Sequence, residues 1–245
     1  MNELALFAGV GGGLLATKWL LGWCTVCYVE WEQYCIDVLQ ARIADGLLDD
    51  APIWDDARTF DGRPWAGCVD IVTAGFPCQP FSVAGRQQAD ADERNMWPDT
   101  IRIIREVQPA WVLLENVPGL LAGSHGYYGQ VLSELAQSGY DARWRVLSAA
   151  EVGAPFVRDR LFVVAFSNKS DGKAWLGNLQ NGQAPVQRRV GKQNSRDVWL
   201  QVINRNAGSD NGVAHYLERG SAIGNGQVPL VVATVWELLT EGRHG

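Results

Sequence analysis

The start of the chain restricts its fold more than any other stretch. A largely apolar run, Glu3–Phe7, leads directly into Ala8-Gly9-Val10-Gly11-Gly12-Gly13, and a helical pattern follows to about Leu21. A strand, a glycine turn and a helix N-terminus in that order open an α/β domain. Glycine tolerates the tight turn and lets a ligand approach the backbone. The helix start offers free N–H groups to an anionic or nucleotide ligand. Glu30 closes a second apolar run, Cys24–Glu30, about 20 residues on, where a carboxylate can accept both hydroxyls of a ribose. This spacing serves NAD and S-adenosylmethionine alike, so it does not choose between them.

The rest of the chain continues the alternation. Helical patterns span Trp31–Ala44, Trp97–Val107 and Tyr128–Gln137, and apolar strands span Val69–Ala74, Trp111–Glu115, Arg143–Leu147 and Leu161–Phe166. The expected architecture is α/β: a Rossmann-like fold with a mostly parallel sheet covered on both faces, plus a small recognition subdomain. Residues 1–167 read as the catalytic and cofactor-binding domain. Residues 168–218, rich in Asn, Gln, Gly and Arg, read as a target-recognition segment. Residues 219–245 read as a C-terminal helix packing back on the first domain.

With 245 residues, 47% of them hydrophobic, a packed core is expected. No apolar run approaches the ~20 residues of a membrane helix, and Met1-Asn2-Glu3 lacks the basic start of a secretory signal. The expectation is a cytoplasmic protein that does not engage membranes. Five cysteines form no disulfide framework, and Cys24-x-x-Cys27 has no second ligand pair, so no metal is expected.

Three motifs carry chemistry. Gly75-Phe76-Pro77-Cys78-Gln79-Pro80-Phe81-Ser82 follows a strand end and presents a cysteine between prolines; a thiolate there suits attack on an electron-poor carbon. Trp111–Val117 puts Glu115 at the end of an apolar strand, where desolvation favours the protonated acid. The residues alone leave open a Glu that merely caps the next turn. Arg158 and Arg160 flank Asp159 ahead of the last apolar strand, and suit either a surface ion pair or a carbonyl oxygen.

Taken in order, Phe7-Ala8-Gly9-x-Gly11-Gly12, Glu30-Trp31, Gly75-Phe76-Pro77-Cys78-Gln79, Arg94, Glu115-Asn116-Val117, Arg158-x-Arg160 and Gly224-Asn225 resemble the cytosine-5 DNA methyltransferases, in particular their short phage and prophage members. The resemblance implies S-adenosylmethionine as cofactor, double-stranded DNA as substrate and a monomer, with a cognate restriction endonuclease as a partner such enzymes have. It assigns Cys78 to a covalent bond with carbon 6 of a flipped-out cytosine, Glu115 to ring nitrogen 3, and Arg160, with Arg158, to the ring oxygen. Phe7 and Trp31 would contact adenine, Glu30 the ribose and Asp56 the adenine amine. Ala8, Gly9, Gly11, Gly12, Asn225 and Gly226 would hold the methionine portion, and Ala57, Pro77 and Trp97 complete the implied cofactor set. Ser82, Arg86 and Arg94 fall on a loop that would close over DNA.

The chain also departs from the family. Ala5 stands where the family's first motif usually has Asp, and Phe156-Val157 where a Gln or His is usual. An RNA cytosine methyltransferase is the nearest alternative, but the Cys-Phe-Thr tripeptide of that branch is absent. A binding module without turnover would leave Cys78, Glu115 and Arg160 without a purpose. An NAD-dependent oxidoreductase would leave Pro77-Cys78 unexplained.

The net charge of −6 hides a gradient. Asn168 to Asn206 holds seven basic and two acidic residues, +5, which leaves −11 for the remainder. A basic stretch on an acidic body suits phosphate contact, and Arg188 and Arg189 are its expected DNA contacts; a merely solvated segment is the other reading.

Overall fold

The computed structural model describes residues 1–77, 95–122, 126–168 and 226–241. Seven strands follow in chain order: β1 (Asn2–Leu6), β2 (Cys24–Val29), β3 (Ile53–Trp54), β4 (Ile71–Ala74), β5 (Trp111–Asn116), β6 (Tyr140–Ser148) and β7 (Asp159–Ser167). They form one sheet in the order β3-β2-β1-β4-β5-β7-β6. The first five are parallel to one another, while β7 runs antiparallel to both β5 and β6. The sheet is therefore mostly parallel, as the alternating pattern predicts.

The buried aliphatic runs read as strands for a physical reason. Parallel strands covered on both faces need apolar residues at successive positions rather than at alternate ones; all six residues of β5 are buried. One face carries α3 (Trp97–Val107) and α4 (Tyr127–Gln137), whose Ile101, Ile104, Val131 and Leu135 pack on Leu4, Val72 and Leu114. The helix α5 (Pro229–Thr240) packs on the other face through Val231, Val232, Val235 and Trp236. Trp236 meets Trp23 edge-on at 4.9 Å and Trp111 at 5.2 Å. Pro229 suits the first turn of α5, where no backbone donor is needed.

Two local features differ from the sequence reading. The helix expected to reach Leu21 is regular only over α1 (Gly12–Leu15); Ala16–Leu20 is a π-turn closed by Leu21 N–H donating to Ala16 O at 3.0 Å. The two-residue β3 carries too short a pattern to read in the sequence, and it is defined by pairing with Tyr28 and Val29. The helix α2 (Gln33–Ala44) follows β2 as expected. Among the described residues, no helix is long and apolar enough to cross a membrane.

Strand order reverses between β1 and β4. That divergence opens a crevice at the carboxyl ends of the parallel strands, where open α/β sheets bind ligands.

Candidate active site

The crevice is a cavity of about 580 Å³, within the range of small-molecule sites. Phe7, Ala8, Gly9, Gly12, Glu30, Trp31, Asp56, Ala57, Pro77, Glu115 and Gly226, all singled out in the sequence, line it. Gly11 lies just behind, buried against Leu14, Leu39 and Leu48.

The turn after β1 is tightly wound. Phe7 takes a positive φ of 54°, uncommon for a bulky residue, and Gly9 and Gly11 follow at 54° and 85°. Ala8 N–H reaches across to Val29 O at 3.2 Å. Glu30 fastens the turn from the end of β2. Its Oε2 accepts from Gly9 N–H at 2.6 Å and its Oε1 from Glu32 N–H at 2.9 Å. Burial pushes this carboxyl above its ordinary pKa, and those backbone donors pull it back. A carboxylate already oriented at a strand end suits a vicinal diol. The cavity size, Glu30 and the open space beside Gly9 thus fit a nucleoside cofactor.

The far rim is less regular. Trp31 is exposed, and the Arg58 guanidinium lies over its ring at 4.7 Å. Arg58 also grips Asp56 at 2.9 Å and holds that carboxyl below its usual range. Trp97 does not reach the cavity: it is buried against Phe76 and donates its indole N–H to Glu134 at 2.9 Å. Its neighbour Met96 lines the wall instead.

Ala5, in the position of the family's usual Asp, leaves no carboxyl there. Two residues earlier on the same face of β1, Glu3 is buried and accepts hydroxyl hydrogen bonds from Thr17 and Thr73 at 2.7 Å and from Thr25 at 3.1 Å.

At the other side stands Glu115, the penultimate residue of β5. Because β7 runs antiparallel to β5, the beginning of β7 lies beside the end of β5. Arg160 Nε thereby reaches Glu115 Oε1 at 2.8 Å. Arg158 Nη2 donates to Gly226 O at 2.6 Å, tying the segment before α5 to the same corner. Burial pushes the Glu115 carboxyl above its ordinary pKa, against the pull of Arg160 and Arg158. Burial and the nearby Arg160 lower Arg158. The corner thus holds a buried carboxyl with its pKa displaced upward, steadied by a guanidinium.

Two contributors were not singled out from the sequence as site residues. Asn116 Nδ2 donates to Phe76 O at 3.1 Å and so anchors the backbone just before Pro77. Gln227 lines the cavity and hydrogen-bonds Glu115 through its side chain. Asn116 belongs to the motif Glu115-Asn116-Val117 already noted, and Gln227 follows Gly224-Asn225 by two residues, but their roles depend on contacts across the fold. Cys78, Ser82, Arg86, Arg94, Arg188, Arg189 and Asn225 lie outside the described residues, as does the expected recognition segment beyond Asn168. Of the pair Cys24 and Cys27, the first is exposed and the second buried, with burial pushing its thiol up to about 11.

The family model for C-5 cytosine-specific DNA methylases matches residues 1–227. A type II methyltransferase of Neisseria gonorrhoeae, M.NgoMIV, is 34% identical over 69% of this chain and 52% of its own length. The type II methyltransferase M.HhaI of Haemophilus parahaemolyticus is 31% identical over 76% of this chain and 53% of its own. This chain therefore spans about half the length of these relatives. Among solved structures, a prophage-encoded E. coli protein described as a DNA modification methyltransferase superposes with a TM-score of 0.57 at 26% identity, over 69% of this chain and 47% of that one. The Dnmt2 protein of Spodoptera frugiperda shares the fold, with a TM-score of 0.57 at 22% identity over 69% of this chain and 51% of its own.

Proposed function

The chain belongs to the C-5 cytosine-specific DNA methylase family, and from that premise we propose that it methylates carbon 5 of cytosine in duplex DNA, with Cys78 as nucleophile and Glu115 as acid. The observation that carries this reading is Glu115, which lines the same cavity as Glu30 and is held by Arg160 at 2.8 Å. A buried carboxyl whose pKa lies above its ordinary value and a nucleoside-sized crevice are then neighbours.

Carbon 5 of cytosine is a poor nucleophile. The Cys78 thiolate forms a bond from Sγ to carbon 6 while Glu115 gives a proton to ring nitrogen 3, so the ring becomes an enamine. Arg160, already beside Glu115, holds the ring oxygen, and Arg158 steadies the segment before α5. S-Adenosylmethionine, the methyl donor of this family, supplies a methyl cation equivalent when bound. Loss of the carbon 5 proton to a base then expels Cys78 and breaks the Sγ–carbon 6 bond, and the proton on ring nitrogen 3 returns to Glu115. Glu30 would orient the cofactor's ribose, and the glycine turn its methionine end.

The type II names of the relatives suggest a restriction endonuclease of matching specificity as a partner. A monomer working on DNA in the cytoplasm is part of the same proposal. Purified protein should transfer tritiated methyl to duplex DNA. Label on tRNA and not on DNA would replace this reading with the RNA one.

A further inference from the structure

Gln227 stands at the junction of three parts of the site. A Cβ at Gly12 would collide with its backbone carbonyl, and one at Gly13 with its side-chain oxygen. A Cβ at Gly75 would sit 3.0 Å from Gln227 Nε2 and 3.2 Å from Glu115 Oε2. The amide therefore spans from the glycine turn to the end of β5, its oxygen toward Gly13 and its nitrogen toward Glu115.

The two oxygens of Glu115 face different partners. Arg160 Nε is 2.8 Å from Oε1, and the Gln227 amide lies on the side of Oε2. The terminal torsion of a glutamate is otherwise broad and weakly held. One partner on each oxygen fixes the plane of the carboxyl as well as its location.

We propose that Gln227 is the positioning residue for Glu115: held against the glycine turn, its amide fixes the plane of the carboxyl and links the cofactor cavity to the acid. This rests on the reading of Glu115 as the acid. Gly13, Gly75 and Gln227 form one packed unit, so a cofactor seated on the glycine turn bears on the group that holds the carboxyl. Among the described residues, the charged groups facing Glu115 are Arg160, on β7, and Arg158, just before it. Both favour the carboxylate, as does the Gln227 amide.

The test compares Gln227→Met, which keeps length without the amide, and Gln227→Glu, which places a second carboxyl beside the first. Infrared difference spectra against Glu115→Gln report titration of the Glu115 carboxyl in the free protein. Loss of a donor that favours the carboxylate should move that titration to higher pH in Gln227→Met. It should move further in Gln227→Glu, where two carboxyls compete for one proton. The kcat for DNA methylation should fall about tenfold or more in Gln227→Met, as misplaced catalytic groups do, with its alkaline limb moved the same way. The cofactor Kd, read from tryptophan fluorescence, should change less than kcat does.

A Glu115 titration that stays put in both variants, with kcat and its pH profile unmoved, overturns the proposal. So does a kcat loss matched by an equal loss of cofactor affinity with no change in titration, because that is packing alone. A separate result, full activity in Glu115→Gln, would instead remove the acid reading and leave the titration evidence for the contact intact.

Discussion

Replacing Arg160 with Met should make the protein's stability strongly pH-dependent. Arg160 Nε sits 2.8 Å from Glu115 Oε1, with the two side chains 21% and 10% exposed. Breaking a fully buried ion pair costs about 3–5 kcal/mol, because one charge stays desolvated without its partner. The partial exposure of Arg160 lets water take up some of that cost, so about 2–4 kcal/mol is expected where Glu115 is ionised. Glu115 already lies above its ordinary value of 4.5 through burial, and Arg160 is the largest of the influences pulling it down. Removing the guanidinium raises the folded-state pKa further. A carboxyl whose folded pKa exceeds its unfolded one contributes stability that is full below the unfolded value and is lost as pH rises through the folded one. The variant should therefore resemble the wild type near pH 4.5 and fall progressively behind it toward pH 8.5. Urea unfolding followed by tryptophan fluorescence at both ends of that window measures the difference. Arg160→Met with Glu115→Gln should recover most of the loss at pH 8.5. An equal loss at both pH values, or no recovery in the double variant, would mean that Arg160 acts through its packed stem and not through its charge.

Two further outcomes bear on the site. Glu30→Gln should raise the cofactor Kd by about 10- to 100-fold, since hydrogen bonds to charged groups are worth about 1.5–3 kcal/mol; isothermal titration with S-adenosylmethionine reads it, and an unchanged Kd would reduce Glu30 to a clamp on Gly9. Arg188→Ala with Arg189→Ala should weaken DNA binding and flatten its salt dependence by about one unit of slope per lost phosphate contact, leaving cofactor affinity unmoved; wild-type affinity and slope would show that these arginines do not contact DNA.

The parts of the site that travel with local pattern are visible in the chain itself. An apolar run ending in glycine, or in a single acid, signals a strand whose end faces a crevice, and so Phe7–Gly12, Glu30 and Glu115 stand out. Contacts between distant segments carry no such local mark. That Arg160 meets Glu115 depends on β7 running antiparallel to β5, whereas alternating strands and helices suggest only parallel pairing. Gln227 follows the same logic, since its neighbours Gly13 and Gly75 are remote in sequence. Trp97 misled in the opposite direction. It sits beside the cavity-lining Met96, but it is the first residue of an amphipathic helix, and the packing of α3 turns it into the core. The π-turn at Ala16–Leu20 has no compositional signature; it lies between α1 and Trp23, which meets Trp236 edge-on.

Covalent trapping reads the bond between Cys78 and cytosine itself. Duplex DNA carrying 5-fluorocytosine at the methylated position should arrest the reaction after methyl transfer, because fluorine cannot leave carbon 5 as a proton does. Incubated with S-adenosylmethionine, the wild-type protein should form a denaturant-stable complex with that DNA. Peptide mapping should locate the link at Cys78, and Cys78→Ala should form none while still binding the cofactor. A complex of equal yield with Cys78→Ala, or a link mapped to another residue, would exclude Cys78 as the nucleophile.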